Sequence, residues 1–283
     1  MSVFEPIAVY RCRQTYRYEA PRQGVFAANS GVIEFLPGRN FEEALRDLAG
    51  FDRIWVIFEF HLNATWRPKV RPPVAPAGRR IGVFATRSPH RPNRLGLSCV
   101  EVEKIDGLHL HVRGSDLLDR TPVFDVKPYI PRADAFPEAR TGWLESVSPE
   151  EWQVDFTPEA LADFDFIAAA SGLDLAGFCR IQLGIDPLSP ERKRLSTEPD
   201  GRRAIGCRTW KVRFAADETT RRIRVLGVRS NYTERELLPG APDPYGDKEL
   251  HRAFATARKR PGEDGSASKS RQPSADNPGK SSP

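Results

Sequence analysis

The sequence predicts a mainly β protein, with an antiparallel barrel over 1–145, a small α+β domain over 146–260 and a disordered tail over 261–283. Three observations predict it. At least seven short strand-like runs, separated by turn residues at close spacing, fill the first half of the chain. Those runs do not alternate with helical stretches, which disfavours a doubly wound parallel sheet. From Pro261 onward Ser, Gly, Pro, Lys and Asp dominate and no large apolar residue occurs, so nothing there can offset the entropy of ordering.

The elements follow in order. Ile7, Val9, Tyr10 and Cys12 alternate loosely within Glu5 to Tyr18, as one strand or two short ones would. Pro21 to Gly24 is a turn, and Gly31 to Leu36 reads as strand. Asn40 is placed to cap a helix over Phe41 to Ala49, with Glu43 completing a capping box and Gly50 ending it. Ile54 to Phe58 is continuously apolar and predicts a strand buried on both faces. Trp66 to Gly78 is proline-rich and basic, hence an extended loop. Leu97 to Ile105 and Leu108 to Val112 flank Asp106-Gly107 as a hairpin, with His109 and His111 on one side and Leu108, Leu110 and Val112 on the other. Asp116 to Pro122 is a loop, Val123 to Ile130 a last barrel strand, and Pro131 to Ser148 a linker. Thr157 as cap and Pro158 at the first position start a helix that runs to Ser171 and ends at Gly172. A second helix over Leu173 to Leu183, a polar connection over Asp186 to Gly201, and strands over Trp210 to Phe214 and Ile223 to Val228 complete an α+β unit. Asp247 to Lys259 suits one more short helix.

Composition narrows the function. The 283 residues are 39% hydrophobic and 10% aromatic, enough for a sizeable core. Cys12, Cys99, Cys179 and Cys207 are scattered with no CxxC spacing, so free thiols and a reducing cytoplasm are expected. No apolar run reaches spanning length, and the N-terminus lacks a basic region followed by an apolar core, so neither a membrane partner nor a secretory signal is expected. His61, His90, His109 and His111 have no Cys or carboxylate at ligand spacing, so no metal is expected. GxSxG, Walker A and GxGxxG patterns are absent. A nucleotide-bearing cofactor would therefore be gripped by loops at a barrel mouth rather than by a helix N-terminus.

The charge is unevenly placed. The net charge is only +5, yet no Asp or Glu occurs from Arg67 to Val100. Within that stretch Ile81 to Ala85 and Leu95 to Val100 read as strands, and Thr86 to Arg94 between them is a basic loop pinned by Pro89 and Pro92. A second basic concentration lies between Arg202 and Arg229. Such stretches suit a polyanion, with ordinary solvated surface as the alternative.

The loop reads GVFATRSPHRPNRLGLS. In order around it stand Pro21-Arg22-Gln23, Trp55 to His61, Trp66-Arg67-Pro68, Asp116-Leu117-Leu118-Asp119-Arg120-Thr121-Pro122 and Asp125 to Pro131. Together these motifs resemble the tRNA-methyltransferase O family, the TsaA-like proteins, over Pro6 to Glu145. The resemblance implies a single-sheeted β-barrel and methyl transfer from S-adenosylmethionine to N6 of threonylcarbamoyladenosine beside the tRNA anticodon. It also implies a homodimer and a cofactor site at Pro21, Arg22, Gln23, His61, Leu62, Arg87, Leu97, Asp116, Leu117, Leu118 and Asp119. Arg suits the cofactor's carboxylate, and Asp its ammonium and hydroxyls. Arg91, Arg94, Arg67 and Lys69 are the candidate RNA contacts. No residue is assigned as general base. The chain departs from the family at Leu62, usually Gln, at Arg94, often Pro, and at Arg120, commonly Gly. Asp186 to Glu191 reads DPLSPE where a DPRPAY-like motif is common. Two other readings remain open: a non-catalytic RNA-binding barrel, and a small-molecule methyltransferase on the same barrel.

Overall fold

Among the described residues, eight of the thirteen strands belong to the first half of the chain, and six of those close a barrel in the order β1-β2-β7-β6-β3-β8. These are β1 (Ala8–Arg11), β2 (Ser30–Phe35), β3 (Arg53–Glu59), β6 (Leu95–Asp106), β7 (His109–Arg113) and β8 (Thr121–Pro128). All six pairings are antiparallel. Closure leaves no sheet edge to protect. The computed structural model describes residues 3–21, 23–24, 29–72, 74–75, 79–147, 152–185, 187–189, 194–198 and 200–258. The expected tail at 261–283 lies outside them. The chain divides into two units, Met1–Thr233 and Glu234–Pro283.

The barrel core follows from strand alternation. Ile33, Ile54, Val100, Leu110, Val112 and Val123 are fully buried. Each such side chain stabilises the fold by about 1.5–3 kcal/mol relative to exposure. The expected β6–β7 hairpin forms, with its turn one residue later than the sequence suggests: Asp106 lies opposite His109, so Gly107 and Leu108 rather than Asp106 and Gly107 form the two-residue turn. Gly107 has φ +57°, the sign a twist-compatible hairpin turn requires. His109 and His111 face outward while Leu110 and Val112 are buried. A bulge between Val102 and Lys104 leaves Glu103 without an opposite residue on β7.

Two expectations need correction here. Asn40 does not cap: it adopts a left-handed conformation with φ +56° and makes no side-chain cap bond. A capping residue needs extended dihedrals to bring its oxygen over the first turn. Glu43 instead pairs with Arg46, helix α1 stops at Leu45 (Phe41–Leu45), and Leu48–Gly50 forms a separate 3-10 turn. Nor is β3 buried on both faces. Ile54, Val56 and Phe58 point inward, whereas Trp55, Ile57 and Glu59 are half-buried on the outside. The continuous apolar run exists because the outer face walls a cleft.

The remaining two strands, β4 (Lys69–Val70) and β5 (Ile81–Gly82), pair as a small arm outside the barrel. The expected linker is partly structured, with helix α2 (Pro131–Asp134) and a 3-10 turn at Gly142–Ser146. It packs back on the barrel, as the Trp55 indole donates to Asp134 Oδ2 at 3.2 Å and the Trp143 indole to the Ala85 carbonyl at 2.8 Å.

The α+β region is a five-stranded sheet in the order β10-β11-β12-β13-β9. Its strands are β9 (Gln153–Phe156), β10 (Leu195–Thr197), β11 (Arg203–Cys207), β12 (Trp210–Asp217) and β13 (Arg222–Ser230), and only β9 joins in parallel. Helix α3 (Pro158–Ser171) is capped by Thr157, whose hydroxyl accepts from Ala160 N, and ends at left-handed Gly172. Helix α4 (Leu175–Leu183) is capped by Asp174. In the second unit, helix α5 runs over Lys248–Arg258. The four cysteines are free. No helix among the described residues is long and apolar enough to cross a membrane.

Candidate functional site

Strand pairing sets the wall of the principal cleft. Trp55 lies opposite Cys99 and Ile57 opposite Leu97, so the outward side chains of β3 and β6 form one apolar strip. Leu97, on that strip, is 56% exposed. Gly96 lets the Phe58 ring lie across β6: a Cβ there would stand 2.3 Å from the ring. Thr86, Arg87 and Arg91 from the basic loop, with Gln23, Gly24 and Asp116 from two barrel loops, complete a cleft of about 500 Å³. That volume lies in the range of small-molecule sites. Besides these loops, the outward side chains of β3 and β6 on the barrel flank line the cleft. Inward positions are already filled by core side chains.

The polar groups of the cleft are oriented before any ligand arrives. Arg87 Nη1 donates to Gln23 Oε1 at 3.0 Å. Ser98 Oγ donates to Asp116 Oδ1. Burial pushes the Asp116 carboxyl above the ordinary carboxylate range, while the Ser98 hydrogen bond and the Arg87 charge pull the other way. A guanidinium and a carboxylate in one half-apolar cleft suit a ligand that carries both charges. Among the described residues no group of three metal-ligating side chains occurs.

The expected site residues separate into groups. Gln23, Arg87, Leu97 and Asp116 line the cleft together. Pro21 is buried, and Arg22 lies outside the described residues. Leu117 is a core residue, and Leu118 is half-buried beside it. Asp119 turns away from the cleft, accepting from Cys12 N at 3.2 Å. His61 shares a hydrogen bond with Thr121 Oγ1 at 3.3 Å, and burial lowers its pKa against the opposing pull of Glu59 and Asp119. Leu62 is exposed. His61 and Asp119 thus belong to a second neighbourhood at the start of β8.

Of the candidate RNA contacts, Arg91 serves the loop itself. Its Nη1 donates to the Val83 and Thr86 carbonyls at 3.2 and 2.8 Å, and its guanidinium covers Phe84. Arg94 pairs with Glu59 at 2.8 Å from a left-handed backbone, φ +52°. Arg67 and Lys69 are exposed on the approach to and within β4. Sequence reasoning missed Trp55, Ile57, Phe60, Ser98 and Cys99 as lining residues. The available signal was the pairing of two strands that are apolar on both faces.

Fold and cleft together define a closed antiparallel β-barrel with a half-apolar cleft under a basic loop. The tRNA-methyltransferase O N-terminal domain profile matches residues 9–135. The tRNA (adenine(37)-N6)-methyltransferase of Escherichia coli K12 is 39% identical over 163 residues, covering 55% of this chain and 69% of the relative. A putative S-adenosylmethionine-dependent methyltransferase, RcsF of Pseudomonas aeruginosa, is 38% identical over 208 residues, covering 72% and 85% respectively. Among solved structures, TrmO from Pseudomonas aeruginosa superposes with a TM-score of 0.61 at 30% identity, over 81% of this chain and 99% of that one. The chain belongs to the tRNA-methyltransferase O family.

Proposed function

We propose that this chain is an S-adenosylmethionine-dependent methyltransferase acting on N6 of adenosine 37 in tRNA, with the threonylcarbamoyl form as substrate. The carrying observation is the cleft, which sets Arg87, held by Gln23, and Asp116, held by Ser98, beside an apolar wall within the family-matched segment. Arg87 suits the cofactor's carboxylate, Asp116 its ammonium, and Trp55, Ile57 and Leu97 its apolar surfaces. When bound, S-adenosylmethionine supplies a methyl group already activated by a sulfonium charge. The protein's task is then to align N6 with that methyl and to leave the N6 proton a path to an acceptor. The decisive test incubates the protein with S-adenosylmethionine and tRNA bearing threonylcarbamoyladenosine, followed by nucleoside mass spectrometry. One added methyl on that nucleoside is expected. Cofactor binding without tRNA methylation would favour a small-molecule acceptor, and tRNA binding without cofactor binding a non-catalytic barrel.

The exposed cations Arg67 and Lys69 are the candidates for phosphate contact. Replacing both by Ala should weaken tRNA binding and flatten its salt dependence, each lost phosphate contact lowering the log–log slope by about 0.9 or less. An unchanged slope in filter binding across salt concentrations would assign them to plain solvated surface.

The same reading includes a homodimer in a cytoplasmic setting. Trp66 and Phe84, 52% and 76% exposed, flank the β4–β5 arm next to the cleft loop, and rigid aromatic-bearing surfaces of this kind suit an interface. Light scattering should give about twice the chain mass of 31.8 kDa. A monomer with full methylation activity would show that one chain suffices.

A further inference from the structure

The hairpin joining β11 and β12 turns through Arg208 and Thr209, since Cys207 lies opposite Trp210. Arg208 holds φ +50°, which a residue with a Cβ adopts only against a steric cost. From that turn its side chain reaches the loop between β1 and β2. Nε and Nη2 donate to the two oxygens of Glu19 at 2.6 and 3.0 Å, and Nη2 also meets the Arg13 carbonyl and Thr15 Oγ1, both at 3.2 Å. Its backbone N donates to the Tyr18 hydroxyl at 3.2 Å. Glu19 is 5% exposed, and its Oε2 also accepts from the backbone N of Thr15 and Tyr16 at 2.9 and 3.2 Å. The carboxylate is thus the node of the loop, and Arg208 is its counter-charge. Around it, the Arg194 guanidinium covers the Tyr18 ring and Gln182 Nε2 donates to the Tyr18 carbonyl at 2.8 Å.

The same loop continues directly into the cleft. Four residues after Glu19, Gln23 orients Arg87, and Gly24 packs against the Gly114 carbonyl, two residues before Asp116. We infer that Arg208 is a positioning residue through which the α+β region sets Gln23 and Gly24, and with them Arg87, in the ligand cleft. The inference rests on the cofactor assignment proposed above. A buried carboxylate stripped of its guanidinium is left uncompensated, so the segment relaxes toward solvent and carries Gln23 with it. The cofactor residues that the resemblance implies all lie at or before Asp119; this contact makes their geometry depend on a residue far along the chain.

The experiment uses the full chain. Arg208→Ala and Glu19→Gln should each raise the KM for S-adenosylmethionine about tenfold, the cost of one misplaced charge-assisted contact, with kcat and the KM for tRNA changed less than about twofold. Arg208→Lys, which restores the charge but not the fork, should recover part of the loss. In parallel, hydrogen exchange in the 12–24 and 86–91 segments should quicken in Arg208→Ala, with the rest of the barrel unchanged. Unchanged KM in folded Arg208→Ala and Glu19→Gln would overturn the inference, as would a loss falling equally on kcat and every KM. If the native protein binds no S-adenosylmethionine, the proposed function fails instead. The inference is then decided by exchange alone: quickening that reaches residues 86–91 supports it, and quickening confined to 12–19 overturns it.

Discussion

Asp116→Asn is expected to weaken S-adenosylmethionine binding by about tenfold or more while making the free protein more stable at neutral pH. A charge-assisted contact contributes roughly 1.5–3 kcal/mol, and the amide removes the charge while keeping the shape. The stability effect has the opposite sign because burial holds the carboxyl above its ordinary pKa. A carboxyl with a raised folded pKa contributes stability that is present in full below its unfolded pKa and lost as pH rises through the folded value. At neutral pH the free protein therefore carries the cost of a half-buried charge that Asn does not impose. Ser98, whose hydroxyl rotates freely, can donate to the amide oxygen as it does to the carboxylate. Calorimetric titration and thermal melting across pH 4 to pH 8 read both effects. Unchanged affinity would remove Asp116 from the cofactor site, and a lowered midpoint at neutral pH would show that the ionised form is stabilising.

Gly24→Ala is expected to damage both stability and ligand binding. A Cβ at this position would stand 1.9 Å from the Gly114 carbonyl oxygen and 2.7 Å from its carbon. Both are backbone atoms, so no side chain can rotate out of the way. Either Gly24 with Gln23 or the Gly114–Ser115 segment must move, at a cost of roughly 1–3 kcal/mol. One movement displaces Gln23 and the other Asp116, so the cleft loses geometry in either case. Gly50→Ala is the control, because nothing lies within 4 Å of its added methyl. A Gly24→Ala protein with native midpoint and native cofactor affinity would show that this contact is looser than its packing indicates.

Much of the architecture was legible because local chemistry and final fold agree. Thr157, Pro158 and Gly172 mark the ends of α3 to the residue. Alternating His109-Leu110-His111-Val112 sets the hairpin facing. Asn40 misled because its side chain suits a cap while its backbone takes a left-handed turn. Ile54 to Phe58 misled because apolarity reports burial or a ligand surface alike, and only the pairing with β6 distinguishes them. For the site, the resemblance brought Gln23, Arg87, Leu97 and Asp116 to one cleft, yet it treated Asp116 to Asp119 as one group. The chain turn between them sends Leu117 into the core and Asp119 to Cys12. Arg120, where the family commonly has Gly, has φ +63°, which explains the glycine elsewhere. Arg94 has φ +52°, which a proline ring cannot reach, so the loop end is shaped differently from a Pro-bearing relative.

The unpaired Glu103 separates two parities along β6. Before it, even-numbered residues face the barrel interior, and Leu95, Leu97 and Cys99 face out. After it, Ile105 is the residue packed against the core, while Lys104 and Asp106 lie exposed. Side chains alternate with a period of two, so an uninterrupted strand could satisfy only one of these halves. Without the extra residue, either Lys104 would enter the core or the wall of the cleft would invert, turning Leu97 inward and Ser98 out. One irregular residue therefore lets the hairpin and the cleft keep separate counts on the same strand. A change of one residue on the hairpin side is a question of stability, whereas the same change between Leu95 and Val100 turns Leu97 and Cys99 away from the cleft wall and takes Ser98 from Asp116.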